Sequence, residues 1–248
     1  MKAVAAQIKP DRLFFLIALI AGMALSFLLP TGSGTDEETH FARIYEMALG
    51  RPNPNSLFPK IGLPQGFNEV SYRQQKTLQP ITAEYFAKNL SYTVRNSEAN
   101  SYRTRATYSP LNYLLQAFLF RIFGWEMNSP LLVLYYLLRL TYVITYATLG
   151  YWAIRLLPVG KWILLVLALA PTAVLQSATI SADPIANGIS FLCLAWCLHL
   201  LIDGPAMDKK NTAITLALVF LLANIKLNAL PLLLLLVFIK RDQFPSKK

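Results

Sequence analysis

Several apolar runs approach or exceed the roughly 18–20 residues needed to carry a helix across a bilayer, and they limit this chain more than any other feature. They cover Leu13–Leu29, Leu131–Ile154, Trp162–Ile180, Pro184–Ile202, Thr212–Ile225 and Ala229–Ile239. With 55% of residues hydrophobic, the expected fold class is an all-α polytopic membrane protein. The last two runs are short and read as tilted helices, half-helices, or one pair meeting near Lys226-Leu227-Asn228. The first run, with Lys2, Lys9 and Arg12 before it, imitates a cleavable signal. Its exit, Leu28-Leu29-Pro30-Thr31-Gly32, lacks a small-x-small cleavage pattern, so it is read as a retained helix.

The net charge of +10 would suit a nucleic-acid partner. Many of the basic residues instead sit in short clusters beside apolar runs, where they set orientation, and no basic-aromatic module accompanies them. Nucleic acid is therefore excluded as a partner, and the lipid bilayer takes its place. Cys193 and Cys197 lie four apart on one helical face, a spacing that suits neither a disulfide nor a zinc site.

Orientation decides which residues share a side. Leu111–Phe123 is apolar but short, and two topologies differ in whether it spans. If it lies along the interface and the N-terminus is cytoplasmic, Arg155, Lys161, Lys209, Lys210 and the tail Lys240, Arg241, Lys247 and Lys248 all fall inside. If it spans, the first two pairs fall outside, against the positive-inside bias. The predicted organisation is thus a first transmembrane helix over 1–29 and an outer loop with juxtamembrane helices over 30–130. A helical bundle over 131–240 and a basic cytoplasmic tail over 241–248 complete it. The outer loop is rich in tyrosine, so it reads as folded rather than as a linker. Asp36, Asp183 and Lys226 then face one side and can share a cavity. Asn89-Leu90-Ser91 matches a glycosylation sequon.

Asp36-Glu37-Glu38-Thr39-His40 follows the first helix and gathers three carboxylates with one of only two histidines. Thr35 and Glu38 fit a capping box, and Phe41, Ile44, Tyr45 and Ala48 form an apolar stripe at helical spacing. Acidic residues at a helix N-terminus have a plain structural reading. That reading accounts for Glu38 but not for His40 and Arg43, which follow Asp36 on the same face. A carboxylate so placed can accept a proton from a hydroxyl nucleophile. Asp36 and His40 also have metal-ligand spacing, but no third ligand follows, so no metal site is assigned. Asp183 before Pro184 is either a helix cap or a second functional acid. Arg139, inside an apolar run, is either a functional cation or a snorkelling one. Arg103, Arg105 and Lys226 are further candidates for an anionic headgroup.

In this order, several features resemble the GT-C superfamily of membrane glycosyltransferases. They are the first helix followed by Asp36-Glu37, Tyr108-Ser109-Pro110-Leu111-Asn112-Tyr113 closing a long outer loop, Asp183, and Lys226 before Pro231. The chain also resembles an uncharacterised bacterial membrane-protein family with Asp-Glu-x-x-His-Phe at the position of Asp36–Phe41. The resemblance implies a GT-C-like module in the bacterial inner membrane, with both termini cytoplasmic. It implies an enzyme that transfers a sugar from a polyprenyl-phosphate donor to a glycan or lipid acceptor of the cell envelope. Asp36 would be the base, with Glu37 and Asp183 as further acids. His40, Arg43, Arg103, Arg105, Tyr108, Arg139 and Lys226 would bind substrate, and a divalent cation is the alternative to a protein cation at the phosphate. Glu38 departs from the pattern, which often has proline there. The competing reading is a non-catalytic transporter or assembly partner for lipid-linked intermediates; a transporter would show related halves, which the sequence does not display.

Overall fold

Helix α1, Pro10–Leu28, begins with proline in its first turn, where a missing N–H costs nothing, and with Asp11 at the positive end of the helix dipole. It stops two residues before Pro30, which cannot donate to a continuing helix. The computed structural model describes residues 8–50, 61–64, 66–71, 82–94, 100–102 and 108–244. Two compact units emerge: Gly22–Val143 with Leu175–Asp183, and Met1–Ala21 with Ile144–Val174 and Pro184–Lys248.

The unit built from Gly22–Val143 and Leu175–Asp183 holds the loop region. Helix α2, Glu37–Ala48, is followed by strand β1, Ile61–Leu63, which pairs antiparallel with β2, Asn100–Tyr102. Between the strands lie the short helices α3, Phe67–Val70, and α4, Ala83–Leu90, the latter capped by Thr82 Oγ1 on Tyr85 N at 3.2 Å. A 3-10 turn, Pro110–Asn112, leads into α5, Leu114–Phe120, and a π-turn, Arg121–Glu126. The stretch expected as one juxtamembrane helix is therefore three short pieces. The seven residues of α5 rise about 11 Å, far short of a bilayer. Leu114, Leu115 and Phe118 point outward from it, while Gln116, Ala117 and Phe120 are buried.

Phe41 organises this unit's core. Its ring stacks on Tyr135 at 5.1 Å and meets Phe67 and Phe120 at 5.0 and 5.6 Å, contacts worth about 0.5–1.5 kcal/mol each beyond their buried area. The sequence predicts one apolar stripe on α2, but every residue from Glu37 to Ala48 except Thr39 is buried. The chain packs around the helix on all sides, which forces its charged residues to find partners inside. The sequon at Asn89 also changes meaning: this asparagine is buried and its amide donates to Tyr85 O at 2.9 Å, so it is not presented to a glycosylating enzyme.

In the other unit, α6, Leu131–Leu156, contributes its second half, beside α7, Lys161–Ala168, α9, Asp183–Ile202, and α10, Lys209–Ile225. Small residues bring these helices close, as in membrane bundles generally. A Cβ added at Gly150 would stand 2.3 Å from the Phe14 ring, and one at Gly188 would stand 2.7 Å from Leu149. Phe14 packs edge-on against Tyr146 at 6.0 Å, and the Tyr146 hydroxyl donates to Ala168 O at 2.6 Å, satisfying a carbonyl at the end of α7. Trp196 Nε1 donates to Thr215 Oγ1 at 2.9 Å, joining α9 to α10. Cys193 and Cys197 are buried free thiols.

Two expected spans take another form. Trp162–Ile180 is broken into α7 and α8, Pro171–Ser177, because Pro171 lacks the N–H that would carry the helix through. Ala229–Ile239 falls in a 3-10 helix, Leu227–Phe238, that contains Pro231. Among the described residues, three helices are long and apolar enough to cross a bilayer: Pro10–Leu28, Leu131–Leu156 and Asp183–Ile202. Large apolar side chains such as Leu16, Ile20 and Phe27 lie exposed along α1, as lipid contact requires. The fold is an all-α membrane protein whose strand content, among the described residues, is the single β1–β2 ribbon.

Candidate functional site

The site is built on the turn between α1 and α2, within the unit that holds the loop region. Gly32 adopts φ 79°, a conformation only glycine takes easily, and turns the chain back after Pro30. Asp36 follows with φ 54° and ψ 22°, a left-handed backbone that costs an aspartate about 1 kcal/mol. Asp36, not Thr35, is the residue before α2, and its side chain caps no helix N–H. The predicted capping box does not form. Glu37 rather than Glu38 reaches back, accepting the Gly34 N–H at 3.0 Å, while Glu38 accepts from Ser71 Oγ at 3.4 Å. A side chain at Gly34 would place Cβ 2.7 Å from Thr179 Cβ, so glycine is needed for that approach.

Glu37 and Arg139 form the centre of this turn, both fully buried. Arg139 Nε donates to Glu37 Oε1 at 2.7 Å and Nη2 to Oε2 at 2.8 Å, the two-pronged geometry that guanidinium and carboxylate share. Nη1 donates to Ser26 O and Leu29 O at 2.9 and 2.7 Å, and Nη2 also donates to Pro30 O at 2.8 Å. These five contacts use the five N–H donors an arginine owns. They close the C-terminal end of α1, whose last carbonyls have no helical partner. The two Glu37 oxygens accept, in addition, Gly34 N and, at 2.9 Å, Ile180 N. One ion pair thus holds together the end of α1, the start of α2, the middle of α6 and the Leu175–Asp183 segment. No Arg139 donor is left over for a headgroup.

His40 lies one turn beyond Asp36, buried, with its backbone N–H on Asp36 O at 3.1 Å. Its Nδ1 is 2.7 Å from the Tyr113 hydroxyl, and its ring tilts against Tyr108 and Tyr113 at centroid distances of 5.6 and 5.8 Å. Burial pushes the His40 imidazole below its usual range, while Asp183, Asp36 and Glu37, in that order, oppose the shift. Two carboxylates far apart in sequence therefore act on one imidazole. Burial also raises the Tyr113 phenol, with Arg43 pulling the other way.

Asp36 is exposed and Asp183 half-buried. Asp183 Oδ2 accepts from Gln176 Nε2 at 3.0 Å, and its N–H donates to Ser181 Oγ at 3.1 Å. Asp183 lines a small open cleft of about 110 Å³ with Leu29, Ser33, Thr35, Gln176, Thr179 and Ser181. The wall is rich in hydroxyl and amide groups, and none of its lining residues is a cation.

The remaining predicted residues are dispersed. Arg43 is buried against Glu46 at 2.5 Å. Tyr108 is exposed on its outer side. Lys226 belongs to the other unit, as the C-terminal cap of α10, and Arg103 and Arg105 lie outside the described residues. Among the described residues, no three of His, Cys, Asp and Glu gather as a metal site would require. Tyr113, Gln176, Ser181 and Ser33 were not singled out from sequence. Tyr113 had a signal as the end of the Tyr108–Tyr113 segment, five residues from a second tyrosine, and Ser181 had one in the segment that leads to Asp183.

The family model described as "Predicted membrane protein (DUF2142)" matches residues 19–247. The chain belongs to that family. The match runs from the middle of α1 to the tail and takes in the α1–α2 turn, the Glu37–Arg139 pair and Asp183. No curated protein and no solved structure matches the chain.

Proposed function

We propose that this protein is a membrane glycosyltransferase with Asp36 as its general base. One observation carries the reading. An exposed aspartate is held in a left-handed conformation, excluded from helix capping, and its charge acts together with that of a second aspartate on one buried imidazole. Strained, uncommitted acids of this kind cluster where chemistry is done. The all-α membrane fold and the resemblance of the Asp36-Glu37 and Asp183 positions to GT-C enzymes set the reaction class.

In this reading Asp36 takes the proton of an acceptor hydroxyl as its oxygen bonds to the anomeric carbon of a polyprenyl-phosphate sugar. The bond from that carbon to the phosphate oxygen breaks, and the lipid phosphate leaves with the electron pair. Negative charge growing on the phosphate needs a fixed cation, worth several kcal/mol when well placed. Arg139 and Arg43 are engaged with Glu37 and Glu46. The task passes to Arg103 or Arg105, or to a divalent ion. Glu37 becomes a positioning residue that sets the Asp36 backbone, and Asp183 with its hydroxyl-lined cleft belongs to the acceptor. We place the site at the outer face of a bacterial inner membrane, with both termini cytoplasmic.

The test is incubation of purified protein with polyprenyl-phosphate sugars, following release of the lipid phosphate. Asp36→Asn should lower the rate at least about a thousandfold while leaving the unfolding transition in place. Parent-like turnover by the folded variant removes Asp36 from the mechanism.

A further inference from the structure

A neutral imidazole has one proton, so one ring nitrogen donates and the other accepts. At His40, Nδ1 faces the Tyr113 hydroxyl at 2.7 Å, and Nε2 lies on the opposite edge of the ring. The charged groups that act on the ring are Asp183, Asp36 and Glu37, all carboxylates and therefore acceptors only. Both Glu37 oxygens already hold Arg139 and two backbone amides. Tyr108 packs against the ring by its face, and Arg43 acts on the phenol rather than on the imidazole.

We propose that Tyr113 is a positioning residue whose O–H donates to His40 Nδ1, which places the single imidazole proton on Nε2. In the alternative tautomer the phenol would have to accept, and its own buried proton would lose the partner that Nδ1 provides. Burial favours the assignment on both sides, keeping the phenol protonated and the imidazole neutral. An Nε2–H is then available as a donor to substrate beside the base. The catalytic consequence rests on the role given to Asp36 above; the tautomer does not.

With only two histidines in the chain, the experiment is tractable. His199, which pairs with Asp203, is replaced in a His199→Gln background, and the full-length protein in detergent micelles is labelled with ¹⁵N-histidine. At neutral pH the His40 signals should show Nδ1 unprotonated and Nε2 protonated. Tyr113→Phe should move the tautomer ratio at least about tenfold toward Nδ1–H and shift the acid limb of the transfer rate against pH. A protonated Nδ1 in the background protein overturns the proposal even if Tyr113→Phe fails to fold. An unchanged tautomer ratio in a folded Tyr113→Phe overturns it as well. The tautomer is read without substrate, so its outcome is independent of that of Asp36→Asn.

Discussion

Arg139→Met removes five N–H donors and one buried positive charge in a single substitution. Glu37 would keep its bonds to Gly34 N and Ile180 N but lose two others and its counter-charge. Breaking such a pair from one side costs about 3–5 kcal/mol. The carbonyls of Ser26, Leu29 and Pro30 also lose their donor, at about 1 kcal/mol each where water can partly replace it. The total, about 6–8 kcal/mol, rivals the whole stability of a typical domain. Arg139→Lys keeps the charge but has three donors and no fork, so its cost should be intermediate. Glu37→Leu strands the guanidinium and should cost about 3–5 kcal/mol. The double variant Glu37→Leu with Arg139→Met removes both charges. It leaves three carbonyls and two amides unpaired, about 5 kcal/mol of neutral losses. It should therefore be no worse than Arg139→Met alone, although two independent losses would add to roughly 10 kcal/mol. Reversible unfolding in mixed micelles, followed by far-ultraviolet circular dichroism, measures each value. Additive single effects, or either single variant within about 1 kcal/mol of the parent, would refute a shared buried pair.

Burial depresses the His40 imidazole below 6.5, so below that pH the unfolded chain binds a proton that the folded chain still refuses. Stability should fall as pH drops from about 6.5 toward the folded value, and His40→Gln should remove that part of the slope in melting temperature against pH. In a background lacking Cys193 and Cys197, cysteines at positions 36 and 183 should both react with a membrane-impermeant maleimide added from outside intact cells. Labelling of only one of them separates the two aspartates and removes the proposed centre.

Apolar length was legible without coordinates, because a bilayer imposes a length that local sequence must supply. It identified α1, α6 and α9 within a few residues. The same logic failed at Trp162–Ile180, where hydropathy counts apolar residues but does not register that Pro171 withholds a donor. The acidic cluster was also legible, since ionisable groups are rare in this chain and stand out. Its internal assignments were not. Four charged residues along α2 look equivalent in a sequence, and their roles follow from the partners each finds in the folded chain.

Sequence alone thus determined that this chain is a helical membrane protein with an acidic turn after its first span, since hydrophobic length and charge scarcity are local properties. Tertiary structure decided that Glu37 pairs with Arg139, that Asp36 is left out of helix capping, and that Tyr113 meets His40. Each of these joins segments distant along the chain, where strength depends on exclusion of water and on angles that only the packed backbone defines.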